Sequence, residues 1–191
     1  MATIAIFGGS FNPVHAGHVL AATYVAQAAA VDAVWVLPVW RHALDKAIGV
    51  DFETRLQLCR IGFAVLGDRV QVRDDERGGT GRTIDLVRDL GLRYPDHAFR
   101  LMVGSDILAE VHRWHRFDDL ARLAPPLLLL RGGFAVPATC PYQVLPIALP
   151  DVRSSELRAR LAKGESVAGW VPDAVGCAIR ERGLYREAAA P

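Results

Sequence analysis

Short apolar runs alternate along the chain with stretches whose apolar residues recur at three- and four-residue spacing. The short runs predict strands at Thr3–Phe7, Ala33–Leu37, Val70–Val72, Phe99–Val103, Leu127–Leu130 and Tyr142–Leu149. The wider spacing predicts helices at about His15–Ala29, Phe52–Leu66, Thr83–Tyr94, Phe117–Leu123, Ser154–Ala162 and Pro172–Arg182. Leu56, Cys59, Phe63 and Leu66 share one face of the second helix, Pro95 stops the third, and Gly104-Ser105-Asp106 opens a further one. Strands alternating with helices predict an α/β fold, a doubly wound and mostly parallel sheet covered on both faces. No repeat, low-complexity tract or composition shift marks a linker, so residues 1–191 are expected to form a single domain. Open sheets of this kind take ligands beyond the carboxyl ends of their strands, where strand order reverses. Three loops that follow strands carry polar residues there, Gly8–His18, Pro38–Asp51 and Gly104–Trp114.

Composition narrows the function classes. The 191 residues are 51% hydrophobic and 23% charged, enough to bury a core. Twenty-two basic against 21 acidic side chains leave a net charge of +1. That balance argues against binding nucleic acid through bulk charge and leaves room only for a local basic pocket. Cys59, Cys140 and Cys177 lack metal-ligand spacing and are expected to be small buried hydrophobes in a reducing compartment. The first residues run straight into a strand pattern, and the longest apolar stretches fall short of a membrane span. A cytoplasmic protein with no membrane partner is the expectation.

The first loop, Gly8-Gly9-Ser10-Phe11-Asn12-Pro13-Val14-His15-Ala16-Gly17-His18, carries the strongest chemistry. Two glycines allow a tight turn and let backbone amides approach an anion closely. The following helix aims its free N–H groups and positive dipole end at the same place. His15 and His18 are three apart and share a face on a first helical turn, a plausible phosphate clamp. Gly17 between them keeps side-chain bulk away from a ligand. A second cluster, Asp151 to Arg158, precedes an amphipathic helix that Ser154 or Ser155 can cap. From spacing alone it reads equally well as a capped surface helix or as a phosphate site neutralised by Arg158. Trp114, among His112, Arg113, His115 and Arg116, is either a base-stacking aromatic or the lid of a core.

The string His15-Ala16-Gly17-His18 resembles the signature of the nucleotidyltransferase superfamily, and Gly8-Gly9-Ser10-Phe11-Asn12-Pro13-Val14-His15 resembles its nicotinate (nicotinamide) mononucleotide adenylyltransferase branch. The likeness extends along nearly the whole chain. Ser154, Ser155 and Arg158 match the last three fixed positions of the family's Ile-Ser-Ser-Thr-x-x-Arg, with Arg153 in place of its first serine. Thr83-Ile84-Asp85 is similar to the family's Thr-Ile-Asp, and Gly104-Ser105-Asp106 to its Gly-Ala/Ser-Asp. Trp114 matches a tryptophan that stacks on the pyridine ring. Lys46 corresponds to a lysine that helps hold triphosphate, although Val39 to Lys46 lacks the usual Pro-Pro-His-Lys. Gly81-Arg82 stands where the family often has Ser-Tyr, so Arg82 becomes a candidate partner for a nicotinate carboxylate.

The resemblance implies a Rossmann-like nucleotidyltransferase fold. It also implies transfer of AMP from ATP to nicotinate mononucleotide or nicotinamide mononucleotide, with release of pyrophosphate. His15, His18 and Arg158 are then the catalytic residues. ATP falls to Gly8, Gly9, Ser10, Phe11, Lys46, Gly104, Asp106, Ser154 and Ser155 together with those three. The pyridine nucleotide falls to Ser10, Phe11, Arg82, Thr83, Asp106 and Trp114. No carboxylate cluster forms an all-protein metal cage, so Mg2+ is expected to ride on the ATP phosphates. Homo-oligomerisation, an acceptor of another kind and a nucleotide sensor without chemistry stay open.

Overall fold

The computed structural model describes residues 1–41 and 50–186. Among them, six strands, β1 (Ala2–Gly9), β2 (Ala33–Pro38), β3 (Val70–Val72), β4 (His97–Gly104), β5 (Pro126–Arg131) and β6 (Gln143–Leu149), form one sheet in the order β3-β2-β1-β4-β5-β6. Every neighbouring pair is parallel, so the sheet expected to be mostly parallel is wholly so. The order reverses between β1 and β4, and that crevice is where such a sheet takes its ligand.

Side-chain alternation builds two cores. Ala5, Val34, Val36, Met102, Leu127 and Leu129 point to one face, where they meet α1 (Ala16–Ala28), α2 (Phe52–Phe63), α6 (Ser154–Ala162) and α7 (Asp173–Glu181). Ile4, Ile6, Trp35, Leu37, Phe99, Leu101 and Leu128 point to the other, where they meet α3 (Thr83–Arg93), α4 (Ile107–Glu110) and α5 (Phe117–Leu123). Strands buried on both faces read as continuous apolar runs, as they do in this sequence.

Several boundaries differ from the sequence pattern. Helix α2 ends at Phe63, and residues 64–69 tighten into 3-10 turns broken by Gly67 at φ 64°. Leu66 therefore leaves the helical row that its spacing suggested. Neither Ser154 nor Ser155 caps α6; the N-cap residue is Arg153, without a side-chain hydrogen bond. Of the three cysteines only Cys59 is fully buried, whereas Cys177 is exposed. Beyond β5 the register with β6 shifts between Leu129 and Leu130, which bends the edge of the sheet.

Candidate active site

The turn after β1 is held from behind. The Val39 N–H donates to the Gly9 carbonyl at 2.9 Å. An Arg55 guanidinium N–H donates to the Ser10 carbonyl at 2.9 Å and an Arg158 N–H to the Asn12 carbonyl at 2.8 Å. The Ser154 hydroxyl donates to the Pro13 carbonyl at 3.0 Å. Phe11 adopts φ 45°, which a bulky residue rarely takes, with its ring buried between Phe7, Phe63 and His18. A Cβ on Gly9 would lie 3.2 Å from that ring, so the second glycine of the pair is needed for packing.

His15 is the extended N-cap of α1 and His18 lies in its first turn, yet their rings stack at 3.6 Å and 20°. The His15 backbone N–H donates to His18 Nδ1 at 3.2 Å. A neutral His18 must then carry its proton on Nε2, which makes that atom a donor. Both rings are neutral near pH 7. Burial, then the neighbouring His15 and then Arg131 hold His18 well below its ordinary value. Burial and then Arg131 lower His15 to about 4. His15 is 3% exposed and backs His18 rather than facing solvent. Asn12 Oδ1 and His15 Nδ1 are buried with no hydrogen-bond partner among the described residues, as are Glu76 Oε2, His97 Nδ1 and the Tyr185 hydroxyl.

Beside the histidines a cleft of about 260 Å3 opens at the β1/β4 crevice, walled by Gly8, His18, Gly104, Asp106, Trp114 and Arg131 among others. Arg131, the last residue of β5, approaches the Asp106 carboxylate at 3.5 Å. A Cβ on Gly104 would collide with the Asp106 carboxylate and sit 3.0 Å from Arg131 Cδ, so a larger residue would displace one of these side chains from its place above β4. Buried Ser105 accepts the Arg131 N–H at 2.9 Å and donates to the Phe134 carbonyl at 3.2 Å, which anchors the end of β5. Trp114 comes from the other face of the sheet, edge-on to Phe117 at 5.9 Å. The cleft thus spans both helical layers. A larger apolar groove of about 850 Å3 lies along residues 130–144, but only Arg131 brings charge to it.

A protein of Anaeromyxobacter sp. (strain K), named "probable nicotinate-nucleotide adenylyltransferase", is 40% identical over 189 residues that cover 96% of each chain. The chain belongs to the nicotinate-nucleotide adenylyltransferase family. A Myxococcus xanthus protein of the same name is 36% identical over 184 residues, covering 95% of this chain and 94% of the relative. Residues 6–160 match the broader Cytidylyltransferase-like family. The fold agrees: the Plasmodium falciparum nicotinic acid mononucleotide adenylyltransferase complexed with NaAD superposes with a TM-score of 0.82 at 20% identity, covering 97% of this chain and 98% of the other.

The family's motif positions fall in several places in this structure. Gly8, His18, Gly104, Asp106 and Trp114 wall one cleft, while Gly9, Ser10, Phe11 and His15 form the turn and the ring stack behind it. Ser154 and Arg158 sit half-buried against the turn's carbonyls, and Ser155 is exposed at the start of α6. Arg82 and Thr83 begin α3 and do not wall the cleft; the Arg82 N–H instead donates to Thr80 Oγ1 at 3.1 Å. Lys46 lies outside the described residues. Gly17 walls the cleft, as its place between the histidines suggested, and has a second reason as well. A Cβ there would press on the His15 ring at 3.2 Å, so the glycine makes room for the imidazole stack.

Two arginines escaped the sequence reading. Arg131 left a signal, since it ends a buried apolar strand and precedes Gly132-Gly133, a pattern like that of the first loop. Arg55 left none, because a charged residue inside a helix ordinarily faces water.

Proposed function

We propose that the chain transfers the AMP moiety of ATP to nicotinate mononucleotide, forming deamido-NAD and pyrophosphate in NAD biosynthesis. The observation that carries this reading is the neutral His18 ring on the cleft wall, its Nδ1 engaged by His15 N–H and its Nε2 left to donate. Family membership supplies the reaction class, and the names of the relatives favour the nicotinate over the nicotinamide acceptor.

The chemistry is an in-line attack by the mononucleotide phosphate on the α-phosphorus of ATP. No covalent enzyme intermediate is needed; the protein aligns two anions and stabilises charge moving onto the leaving group. His18 Nε2–H would donate to the α-phosphate, with His15 fixing the ring. Arg131, beside both histidines, would counter the phosphate charge while Asp106 orients it. The amides of Gly8 to Phe11 and the start of α1 favour anions. Ser154, Ser155, Arg158 and Lys46 would serve the departing pyrophosphate, and Gly104 leaves space for the nucleotide. Trp114 would face the pyridine half, with Thr83 and Arg82 reaching it from the start of α3, beyond the cleft wall.

Among the described residues no three His, Cys, Asp or Glu side chains gather to hold a metal ion. Mg2+ would therefore rest on the nucleotide's phosphate oxygens and help neutralise them. No helix among the described residues is long and apolar enough to cross a membrane. We read the chain as a single domain acting on small molecules.

Purified protein with ATP and Mg2+ should release pyrophosphate when nicotinate mononucleotide is added, with a higher kcat/KM than with nicotinamide mononucleotide. His18→Ala should lose roughly 100-fold or more in turnover, the size expected of one preorganised donor. Equal use of both acceptors would overturn the nicotinate preference. A folded His18→Ala protein of normal turnover would remove His18 from the chemistry.

A further inference from the structure

Arg55 is 1% exposed, among the largest fully buried side chains, and it makes no ion pair with any described residue. Its three hydrogen bonds all go to backbone carbonyls. Nε donates to Val50 at 3.2 Å, one terminal nitrogen to Ser10 at 2.9 Å and the other to Val39 at 2.8 Å. Burial lowers its pKa, opposed by Cys59, Tyr185 and Asp51. A buried charge with no carboxylate partner among the described residues is expensive, and apolar replacements of buried ions are often neutral or stabilising. What this guanidinium supplies among the described residues is three directed hydrogen bonds rather than an ion pair.

The three carbonyls belong to three different segments. Ser10 lies in the turn after β1, Val39 directly follows β2, and Val50 directly precedes the α2 N-cap Asp51. A planar fork is the one side chain that holds three such acceptors in a fixed arrangement. Each peptide unit is planar and trans, so fixing a carbonyl also fixes the N–H on the same unit, which points the other way. With the Gly9 carbonyl bound to Val39 N–H, the Ser10 N–H points away from the end of β2, to the side of β1 on which β4 lies. With the Ser10 carbonyl bound to Arg55, the Phe11 N–H turns away from α2. Neither amide has an acceptor among the described residues.

We propose that Arg55 is a positioning residue for the adenylyl-transfer reaction. Without touching substrate, it sets the direction of the Ser10 and Phe11 amides from behind and ties the turn after β1 to both Val39 and Val50. The proposal rests on the adenylyltransferase reading above. Lysine keeps the charge at this position but cannot hold three carbonyls in one plane; methionine keeps the volume and removes the charge.

The test uses wild type, Arg55→Lys and Arg55→Met. It measures circular dichroism and Tm, kcat and the KM for each substrate by pyrophosphate release, and the Kd for α,β-methylene ATP by calorimetry. Both variants should fold. Turnover should fall roughly 10–100-fold, the scale of a small misalignment at a reacting centre. The Kd for the ATP analogue should weaken several-fold, with the KM for the mononucleotide nearly unchanged. Variants within two-fold of wild type in kcat and in analogue Kd would overturn the proposal. So would failure of both to fold, which would assign Arg55 to global stability. If wild type itself releases no pyrophosphate, the reaction reading fails, and the analogue Kd values alone decide the role of Arg55.

Discussion

His15 and Glu76 are both buried and titratable, and they pull stability in opposite directions across mildly acidic pH. His15 falls from 6.5 to about 4, so the folded chain resists a proton that the unfolded chain accepts. Its contribution is complete above pH 6.5 and is lost as pH falls through 4. Glu76 rises from 4.5 to about 7 through burial, with the Trp40 backbone N–H opposing the rise and Asp85 adding to it. Its charged form therefore costs stability above pH 7, and the cost disappears as pH falls towards 4.5. Each effect is on the order of 3 kcal/mol, so the two largely cancel between those limits. His18, also held low, tips the balance towards acid loss. Glu76→Gln should be more stable than wild type at pH 8 by about 1–3 kcal/mol, with no gain at pH 4.5. Urea unfolding across that range checks it; a gain independent of pH would contradict the buried, strained carboxylate. At this scale the sequence showed whatever was local. Two histidines three apart, after a strand and two glycines, are visible in a single window. Arg55 was not, because its partners lie as far as 45 residues away, and Arg131 showed only as the end of an apolar strand before two glycines. Ser154 looked like a cap because helix starts favour serine; its hydroxyl went to a carbonyl 141 residues upstream instead.

The elements themselves were legible because parallel strands buried on both faces leave apolar runs, and their crossover helices leave a different period. Boundaries were less so. Leu66 fits the α2 row, but Gly67 at φ 64° ends it, and no periodicity registers a single backbone angle. Close packing was hidden as well. A Cβ on Gly62 of α2 would meet Val14 Cγ1 at 2.9 Å and Val175 Cγ2 at 3.2 Å, which means that α2 lies tight against both α7 and the turn that leads to His15. Gly62→Ala should cost about 1–3 kcal/mol, the range for overpacking a core. Turnover should fall too, since relief of the clash moves Val14. Thermal unfolding and steady-state kinetics of the variant together test it. A drop in Tm with unchanged kcat would show that the turn is insulated from α2.

Across the whole molecule, the pattern of strands and helices predicted a doubly wound sheet but could not order its strands. That order decides which loops meet, and it places the turn after β1 beside Gly104 and Arg131 while leaving Arg82 away from the cleft wall. The turn after β1 and the first half of α6 are also joined, by Ser154 to Pro13 and Arg158 to Asn12. We expect the first and last thirds to unfold together, as one calorimetric transition whose van't Hoff and calorimetric enthalpies agree. Two resolved transitions would contradict the single-domain reading. The same long ties bear on how the chain is made. The turn that leads into His15 is made before α6, and its supports from Ser154 and Arg158 arrive 141 and 146 residues later. At roughly 5–20 residues per second that is a wait on the order of 7–30 seconds. Throughout that interval the nascent chain carries the Asn12 and Pro13 carbonyls without these two donors, so the turn is fully braced only once synthesis has passed α6.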